Sequence, residues 1–244
     1  DGQTYCLYWG DVHRHTDVSN CRTGYDGCIV DHFRYAYDLG KIDFLGTSDH
    51  TDIGKIYHPY EWWHNQRMHD ALHSPGEFNT VDVYEREQRW PWGHRNIVFA
   101  QRDGPIVYIK RSFYLNSPWQ KTLPVDPKGT AEISPYELWD LLKQYGKPVA
   151  ALSHTGATGM GTDWKIYEKF DYSSENVVEI YQGARVSYEG AGAPQPSVGF
   201  APNTHLNATG RVVNSASVPI ANFGKHANGT YQTALRDGHN LGVF

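Results

Sequence analysis

The sequence predicts an α/β fold built on a mostly parallel sheet. Short apolar runs alternate with helical patterns along the chain, turn residues separate them, and no internal repeat or low-complexity tract interrupts the alternation. This order of elements is typical of successive βα units. The 244 residues, 39% of them hydrophobic, are enough for one large core. We therefore predict a single domain that spans residues 1–244.

The first half of the chain predicts four strands and two helices. Gly40 ends the first helix, because glycine readily adopts the left-handed conformation that closes helices. Ser74, Pro75 and Gly76 form a turn signal that ends the second helix. In chain order the elements are a strand at 4–9, a helix at 31–39, a strand at 42–47, a helix at 61–72, and strands at 80–84 and 96–101.

The second half opens on a strong helix start. Ser134 can cap the helix, Pro135 suits its first position and Glu137 completes a capping box, so we predict a helix that runs to residue 145. Residues 183–210 are rich in Gly, Pro, Ser and Ala, which indicates a loop or lid. The remaining elements are strands at 148–152 and 176–181, a helix at 230–236, and the beginning of a strand at 241–244.

Histidines stand where several of the predicted strands end. His13 and His15 are two residues apart, so they share one face of a strand. His50 and His154 follow two other apolar runs. In a barrel, the carboxyl ends of parallel strands converge on the axis. We therefore predict that these four imidazoles surround one cavity.

Carboxylates and a further imidazole accompany the same strands. Glu85 and His94 flank the turn 86–93, and Glu179 lies in the predicted strand at 176–181. A ligand set of imidazole and carboxylate without thiolate suits Zn, Fe or Mn. Because more ligands are present than one ion can use, we predict two or three divalent metal ions, which together activate a hydroxide.

Two other pairs of basic residues have separate interpretations. Arg95 and Arg185 lie close in sequence to the predicted site and could hold an anionic group of the substrate. His69 and His73 are four residues apart on a predicted helix. No Glu follows His69, as it would in a zinc protease helix, so we predict that this pair faces solvent.

Taken together, these motifs resemble the PHP superfamily, the polymerase and histidinol phosphatase type of metal-dependent phosphoesterase. The resemblance is to an uncharacterised, largely bacterial branch that opens with Gly-Asp-x-His-x-His-Thr. The matching segments are collinear and span nearly the whole chain. They are residues 10–16, 43–50, 75–78, 84–85, 93–96, 153–154 and 178–179.

The resemblance implies a distorted seven-stranded, TIM-like (βα) barrel with a two- or three-metal site. It also implies that Asp11 and Asp49 act beside the metals, where they orient ligands or handle protons. The residues to which it gives metal-ligand roles are His13, His15, His50, Glu85, His94 and His154.

The sequence departs from the family pattern in two places. The family closes with an Asp-x-His or Ser-Asp-His element on its last strand, and here the sequence stops at Phe244 before such an element. We therefore expect a barrel that lacks its last strand, in a chain that is incomplete or is completed by a second chain or fragment. Cys21 replaces an acidic residue or His of many relatives, and Cys21 and Cys28 either form a disulfide or remain free thiols.

These observations predict a metal-dependent hydrolase, and we favour a phosphoesterase in which a metal-activated hydroxide attacks phosphorus in line. One alternative is amide or ester hydrolysis by an amidohydrolase-type site, which would need a metal-bridging Lys or Glu after the fourth strand. The other alternative is a non-catalytic structural component of a secreted assembly.

The composition of the chain limits the binding partners and the cellular location that we expect for it. The net charge is −5 with both signs interspersed, so we expect no nucleic-acid partner. The predicted hydrolase would instead act on a small phosphoester or similar anionic substrate. No apolar run approaches the roughly 18 residues of a membrane helix. The sequence begins at Asp1 rather than Met, which predicts either a processed protein of the periplasm or cell exterior, or a partial chain.

Overall fold

The computed structural model shows a mixed α/β protein with parallel sheets. The residues that the structure describes are 2–19, 26–51, 59–88, 90–107, 135–154, 156, 160–182, 185–186, 204–206, 212–214 and 226–244. The chain divides into two compact units. The first unit comprises Asp1–Arg86, Asn96–Ile133 and Asp140–Val149, and the second comprises Glu87–Arg95, Ser134–Trp139 and Ala150–Phe244.

The first unit carries a parallel sheet and two helices. Strand β2 lies between β1 and β3, and both pairings are parallel. Strand β4 neighbours β5. The elements are β1 (Gly10–Arg14), α1 (Ile29–Arg34) with a π-helical turn (Tyr35–Gly40), β2 (Phe44–Thr47), α2 (Pro59–Leu72), β3 (Asn79–Thr80), β4 (Asp82–Arg86) and β5 (Arg95–Phe99).

The core of the first unit lies between α1 and the sheet. Phe33 of α1 and Leu45 of β2 belong to one buried cluster, and the Phe33 ring meets the edge of Phe78 at 6.0 Å between centroids. Burial of each such side chain contributes about 1.5–3 kcal/mol. The packing holds β2 in place, and β2 ends where the candidate site begins.

Strand β1 begins where the sequence predicted it to end. Residues 4–9 form no strand, and the side chains of Tyr5, Leu7, Tyr8 and Trp9 are each more than 60% exposed. The prediction was wrong because strand propensity reflects burial on a sheet surface, whereas these side chains are exposed here. A backbone hydrogen bond of 2.6 Å from the Asp43 amide to the Trp9 carbonyl fixes the end of this segment.

The second unit contains its own parallel pairings. Strand β7 lies between β6 and β12, and both pairings are parallel. Its core includes Trp164, Val178, Ala234 and Leu241. The elements after β5 are α3 (Pro135–Tyr145), β6 (Val149–Ser153), β7 (Val177–Val178), β8 (Tyr181–Gln182), β9 (Arg185–Val186), β10 (Thr204–Leu206), β11 (Val212–Asn214), α4 (Tyr231–Arg236) and β12 (Gly242–Val243).

The predicted loop or lid at 183–210 contains two short strands. β9 pairs antiparallel with β8, and β10 pairs antiparallel with β11. The other residues of the segment lie outside the described part of the chain, as does Cys21. Within the described ranges the strands form open sheets, so the closed barrel stays a prediction. Those ranges also contain no helix that is both long and apolar enough to cross a membrane.

Candidate metal centre

Three imidazoles converge on one carboxylate oxygen in the first unit. The Oε2 atom of Glu85 lies 3.4 Å from His13 Nε2, 3.2 Å from His15 Nε2 and 3.4 Å from His50 Nδ1. The Glu85 side chain is almost fully buried, and the imidazoles are at most 16% exposed. We call His13, His15, His50 and Glu85 the first-unit cluster.

The strands of the first unit explain why these groups meet. His13 lies in β1, and His15 follows the last residue of that strand. β2 pairs parallel with β1, and three residues after its end His50 forms a parallel β-bridge with Glu85 of β4. Because parallel strands place their carboxyl ends together, side chains that are distant in sequence reach one point. The structure therefore brings together three of the four imidazoles that we predicted around one cavity, and it adds Glu85 to them.

The spacing within the first-unit cluster fits a shared cation. Two ligand atoms bound to one tetrahedral Zn²⁺ at about 2.0–2.2 Å lie about 3.3–3.6 Å apart. The three nitrogen–oxygen distances to Glu85 Oε2 are close to this range. His15, His50 and Glu85 also offer ligand atoms that all lie within 4.8 Å of one another. The donor set of buried imidazole and carboxylate could hold a metal ion.

Asp49 anchors the loop that follows β1. Its fully buried carboxylate accepts hydrogen bonds from the Thr16 amide at 2.7 Å and the Thr16 hydroxyl at 2.8 Å. The Ser19 hydroxyl donates to it at 2.8 Å, and the Asn65 amide group of α2 donates at 3.3 Å. These contacts hold Thr16, which follows His15, against Asp49, which precedes His50, so they fix the backbone beside both candidate ligands.

Asp11 has a more open environment. Its side chain is 41% exposed, and its Oδ1 accepts a hydrogen bond of 2.8 Å from the backbone amide of His13. Its Oδ2 lies 4.0 Å from Arg14 Nε, in a solvent-exposed pair that contributes little to stability. The carboxylate is accessible to water and is fixed beside a predicted ligand.

The second unit contains another group of ligand-type side chains. The rings of His94 and His154 meet edge to face, with centroids 5.7 Å apart, and the His154 amide donates to the His94 carbonyl at 3.3 Å. Ligand atoms of Glu87 and His94 lie within 4.8 Å of each other. All three side chains are buried. Sequence reasoning missed Glu87, although its position two residues after Glu85 places it in the same polar run.

Arg95 has a different environment from the one we predicted for a substrate-binding residue. It is buried, and its guanidinium donates to Glu175 at 2.7 Å, to the Tyr167 hydroxyl at 2.6 Å and to the Gly93 carbonyl at 3.1 Å. Burial opposes its charge, but Glu175 and Tyr167 outweigh that effect and hold the pKa of Arg95 above its ordinary value. We therefore reassign Arg95 from substrate binding to the interior of the second unit.

The other predicted residues of the second unit divide between described and undescribed positions. Glu179 is buried, and its backbone amide donates to the Ser153 carbonyl at 2.9 Å. Arg185 lies in β9, but its side chain falls outside the described residues, so its role in substrate binding stays a prediction.

The prediction that His69 faces solvent was wrong. His69 is fully buried, its Nδ1 lies 2.6 Å from Asp82 Oδ1, and its Nε2 lies 3.1 Å from the Thr47 hydroxyl. His73 is half-buried and accepts a hydrogen bond of 3.3 Å from the Thr80 amide. The rule used for zinc helices considered only neighbours on the helix, whereas these partners come from the sheet.

The comparisons with known proteins give one structural similarity. No protein-family model matches the chain, and no curated protein matches it. The chain is similar to a crystal structure of endonuclease Q in complex with a 27-mer duplex substrate with an abasic lesion at the active site. The TM-score is 0.42 and the sequence identity is 13%, over 70% of this chain and 42% of that chain. The chain thus spans less than half the length of that chain.

This finding corrects one expectation drawn from composition. We expected a small anionic substrate and no nucleic-acid partner, whereas the similar structure holds a duplex substrate at its active site. The exclusion was wrong because the net charge of −5 is a sum over the whole chain. Contact with a phosphate backbone depends instead on the charge at the site itself, which a bound cation would alter.

Proposed function

We propose that the protein is a metal-dependent phosphoesterase of the PHP type, with a distorted TIM-like barrel. The observation that carries the proposal is the convergence of three imidazole nitrogens on Glu85 Oε2 at 3.2 to 3.4 Å. A bound Zn, Mn or Fe ion would supply Lewis-acid activation of water and would neutralise charge on a phosphoryl group. The buried carboxylate would offset part of the charge of the ion.

The protein's own residues would orient the ligands and manage protons. Asp49 keeps the loop after β1 and the end of β2 together through Thr16, Ser19 and Asn65. Asp11 presents an accessible carboxylate beside His13 and suits a group that takes or gives a proton. We assign positioning to Asp49 and proton handling to Asp11.

We further propose that the chain binds two divalent ions. The first-unit cluster offers four ligand groups, which suit one four-coordinate ion. Glu87, His94 and His154 of the second unit offer three more buried groups of the same chemistry. Seven ligand groups of this chemistry exceed what one tetrahedral ion can use.

Metal content is the test of this proposal. The purified chain is equilibrated with Zn²⁺, Mn²⁺ or Fe²⁺, desalted and measured by elemental mass spectrometry together with a protein assay. We expect about two equivalents per chain, and a loss of at least one in Glu85→Gln. Glu77→Gln is the matched control, because Glu77 is exposed and its carboxylate accepts hydrogen bonds from the Tyr37 hydroxyl at 3.2 Å and the Ser74 hydroxyl at 3.0 Å.

Activity is then measured on the loaded protein. Bis(p-nitrophenyl) phosphate and a duplex with an abasic site are the two probes, each assayed with and without EDTA. We expect metal-dependent cleavage of at least one of them, abolished in Glu85→Gln and retained in Glu77→Gln. Absence of bound metal with all three cations would overturn the proposal and would favour a structural role.

A further inference from the structure

Glu175 lies at the centre of a buried polar network in the second unit. Its Oε2 accepts hydrogen bonds from Arg95 Nε at 2.7 Å and from the Trp139 indole at 3.1 Å, and its Oε1 accepts one from the Ser153 hydroxyl. Glu175, Arg95, Trp139 and Ser153 are all at most 2% exposed. One carboxylate therefore joins three separate segments of the chain.

Two of these partners are the immediate neighbours of candidate ligands. Arg95 directly follows His94, and Ser153 directly precedes His154. Both residues donate hydrogen bonds to the Glu175 carboxylate, so Glu175 connects the backbone next to His94 with the backbone next to His154. The His154 amide also donates to the His94 carbonyl at 3.3 Å. The two imidazoles, which meet edge to face, therefore each stand next to a residue that is hydrogen-bonded to Glu175.

Further hydrogen bonds of this network hold the backbone that precedes His94. Arg95 also donates to the carbonyls of Trp92 and Gly93, which precede His94. Thr162 donates to the Trp92 carbonyl at 3.0 Å and lies 3.3 Å from the Ser153 hydroxyl. Gly93 has a φ of +79°, and a Cβ at this position would collide with Thr162. The backbone before His94 is therefore held from several sides.

Arg95 and Glu175 form a buried ion pair in the interior of the second unit. Removing both ions from water costs more than apolar packing of the same volume, unless their hydrogen bonds are satisfied and their geometry is used. Here the donors of Arg95 and both oxygens of Glu175 have partners within the second unit. This hydrogen-bonded network is suited to orienting metal ligands, since residues that hold metal-binding histidines in place strongly affect metal affinity.

We propose that Glu175 is a positioning residue that sets the relative orientation of the His94 and His154 imidazoles. The proposal rests on the proposed function for the view that these imidazoles bind a metal ion. It concerns geometry that exists before any ion binds, so part of its test needs no metal.

The first test is the ¹⁵N–¹H spectrum of the histidine rings in the metal-free chain. We expect Glu175→Gln to shift the ring signals of both His94 and His154, and to leave those of His69 in the first unit unchanged. Trp164→Phe is the control, because it removes another buried hydrogen bond of the second unit, to the Gly229 carbonyl at 3.1 Å. It should shift the ring of His239, which it contacts, and neither candidate ligand.

The second test is metal affinity, measured by competition of Zn²⁺ with a chromophoric chelator. We expect Glu175→Gln to weaken the weaker-binding equivalent by about tenfold or more, and Trp164→Phe to leave it unchanged. Unchanged ring signals and unchanged affinity in a folded Glu175→Gln would overturn the inference. If the wild type itself binds no Zn²⁺, the proposed function fails, and the ring spectra still decide the role of Glu175.

Ser153→Ala provides a milder variant should Glu175→Gln fail to fold. It removes one of the three donors to Glu175 and leaves the Arg95 pair in place. We expect it to shift the ring signals of His154 more than those of His94. Equal or absent shifts of both rings would contradict the positioning role.

Discussion

The Nδ1 atom of His69 lies 2.6 Å from Asp82 Oδ1, and both side chains are fully buried. Arg102 Nη1 donates to the same oxygen at 2.8 Å, and the far nitrogen of His69 reaches the Thr47 hydroxyl at 3.1 Å. The chain of contacts joins α2 to β2 and β4. Since Thr47 ends β2 just before Asp49 and His50, this buried pair supports the strand that leads to the first-unit cluster.

Removal of the Asp82 carboxylate should therefore destabilise the fold. We expect Asp82→Ala to lower the free energy of unfolding by about 3 kcal/mol, because it leaves His69 and Arg102 without their buried acceptor. Asp70→Ala is the control, since Asp70 contacts Arg102 at 3.1 Å in a partly exposed pair. It should cost less than about 1 kcal/mol. Urea unfolding of the metal-free chain measures both, and equal costs would refute the assignment.

Metal binding should stabilise the protein through the first-unit cluster. At a free metal concentration 100 times the dissociation constant, linkage predicts about 2.7 kcal/mol of added stability for one ion. We expect the Tm of the wild type to rise with added Zn²⁺, and the rise to shrink in Glu85→Gln. Differential scanning calorimetry with and without EDTA provides the measurement. A full rise in Glu85→Gln would show that the ion binds elsewhere.

The two aspartates beside the predicted ligands should behave differently when mutated. Asp49→Asn places an amide group against donors of Thr16, Ser19 and Asn65, and we expect a loss of about 2 kcal/mol in unfolding free energy. Asp11→Asn keeps its acceptor for the His13 amide and should change stability by less than about 0.5 kcal/mol. Chemical denaturation distinguishes the two. A larger loss in Asp11→Asn would reverse the roles we assign.

Asp103 should make the stability of the first unit depend on pH in the acid range. Hydrogen bonds from Lys147 and Tyr145 hold the pKa of Asp103 below its ordinary value of 3.8. A lowered folded-state pKa gives stability that is present above the ordinary value and is lost as pH falls through the folded value. We expect Asp103→Asn to have a lower Tm than the wild type at pH 7, and the difference to shrink as pH falls below the ordinary value of 3.8.

Asp140→Asn is the control for that experiment, because it removes one negative charge from an exposed position of α3. The Tm difference between Asp140→Asn and the wild type should not shrink in the same way as pH falls. Calorimetric scans from pH 2 to pH 7 on the metal-free chain would compare the three proteins. A Tm difference for Asp103→Asn that persists unchanged at the acid end would contradict the assignment.

Local signals predicted much of the fold. Pro135 and Glu137 marked the start of α3, which begins at Pro135 and ends at Tyr145 as expected. The first-unit cluster was also predictable, because parallel strands bring together the residues at their ends. The positions of His13, His15 and His50 after apolar runs were enough to group them, although the first strand was predicted at 4–9 and lies at Gly10–Arg14.

Long-range partners were not predictable in the same way. Arg95 and Glu175 are 80 residues apart in sequence, and no periodicity links them. A lone arginine near a predicted site suggests an anion-binding residue until its buried carboxylate is known. His69 was misjudged for the same reason, since its acceptor lies 13 residues away on another element. The start of β1 was misplaced because propensity alone does not specify which residues find a neighbouring strand.

The exposed segment before β1 has a practical consequence. The Trp9 indole is 66% exposed, whereas the indoles of Trp62, Trp139 and Trp164 are buried. The Trp9 backbone is nevertheless fixed, because its amide donates to Asp43 at 2.6 Å. Its fluorescence should be open to quenching by acrylamide in the native state, while emission from the buried indoles should resist it. Once the exposed Trp63 and the half-buried Trp90 and Trp92 are replaced by Phe, Trp9 is the exposed indole among the described residues, four positions ahead of His13.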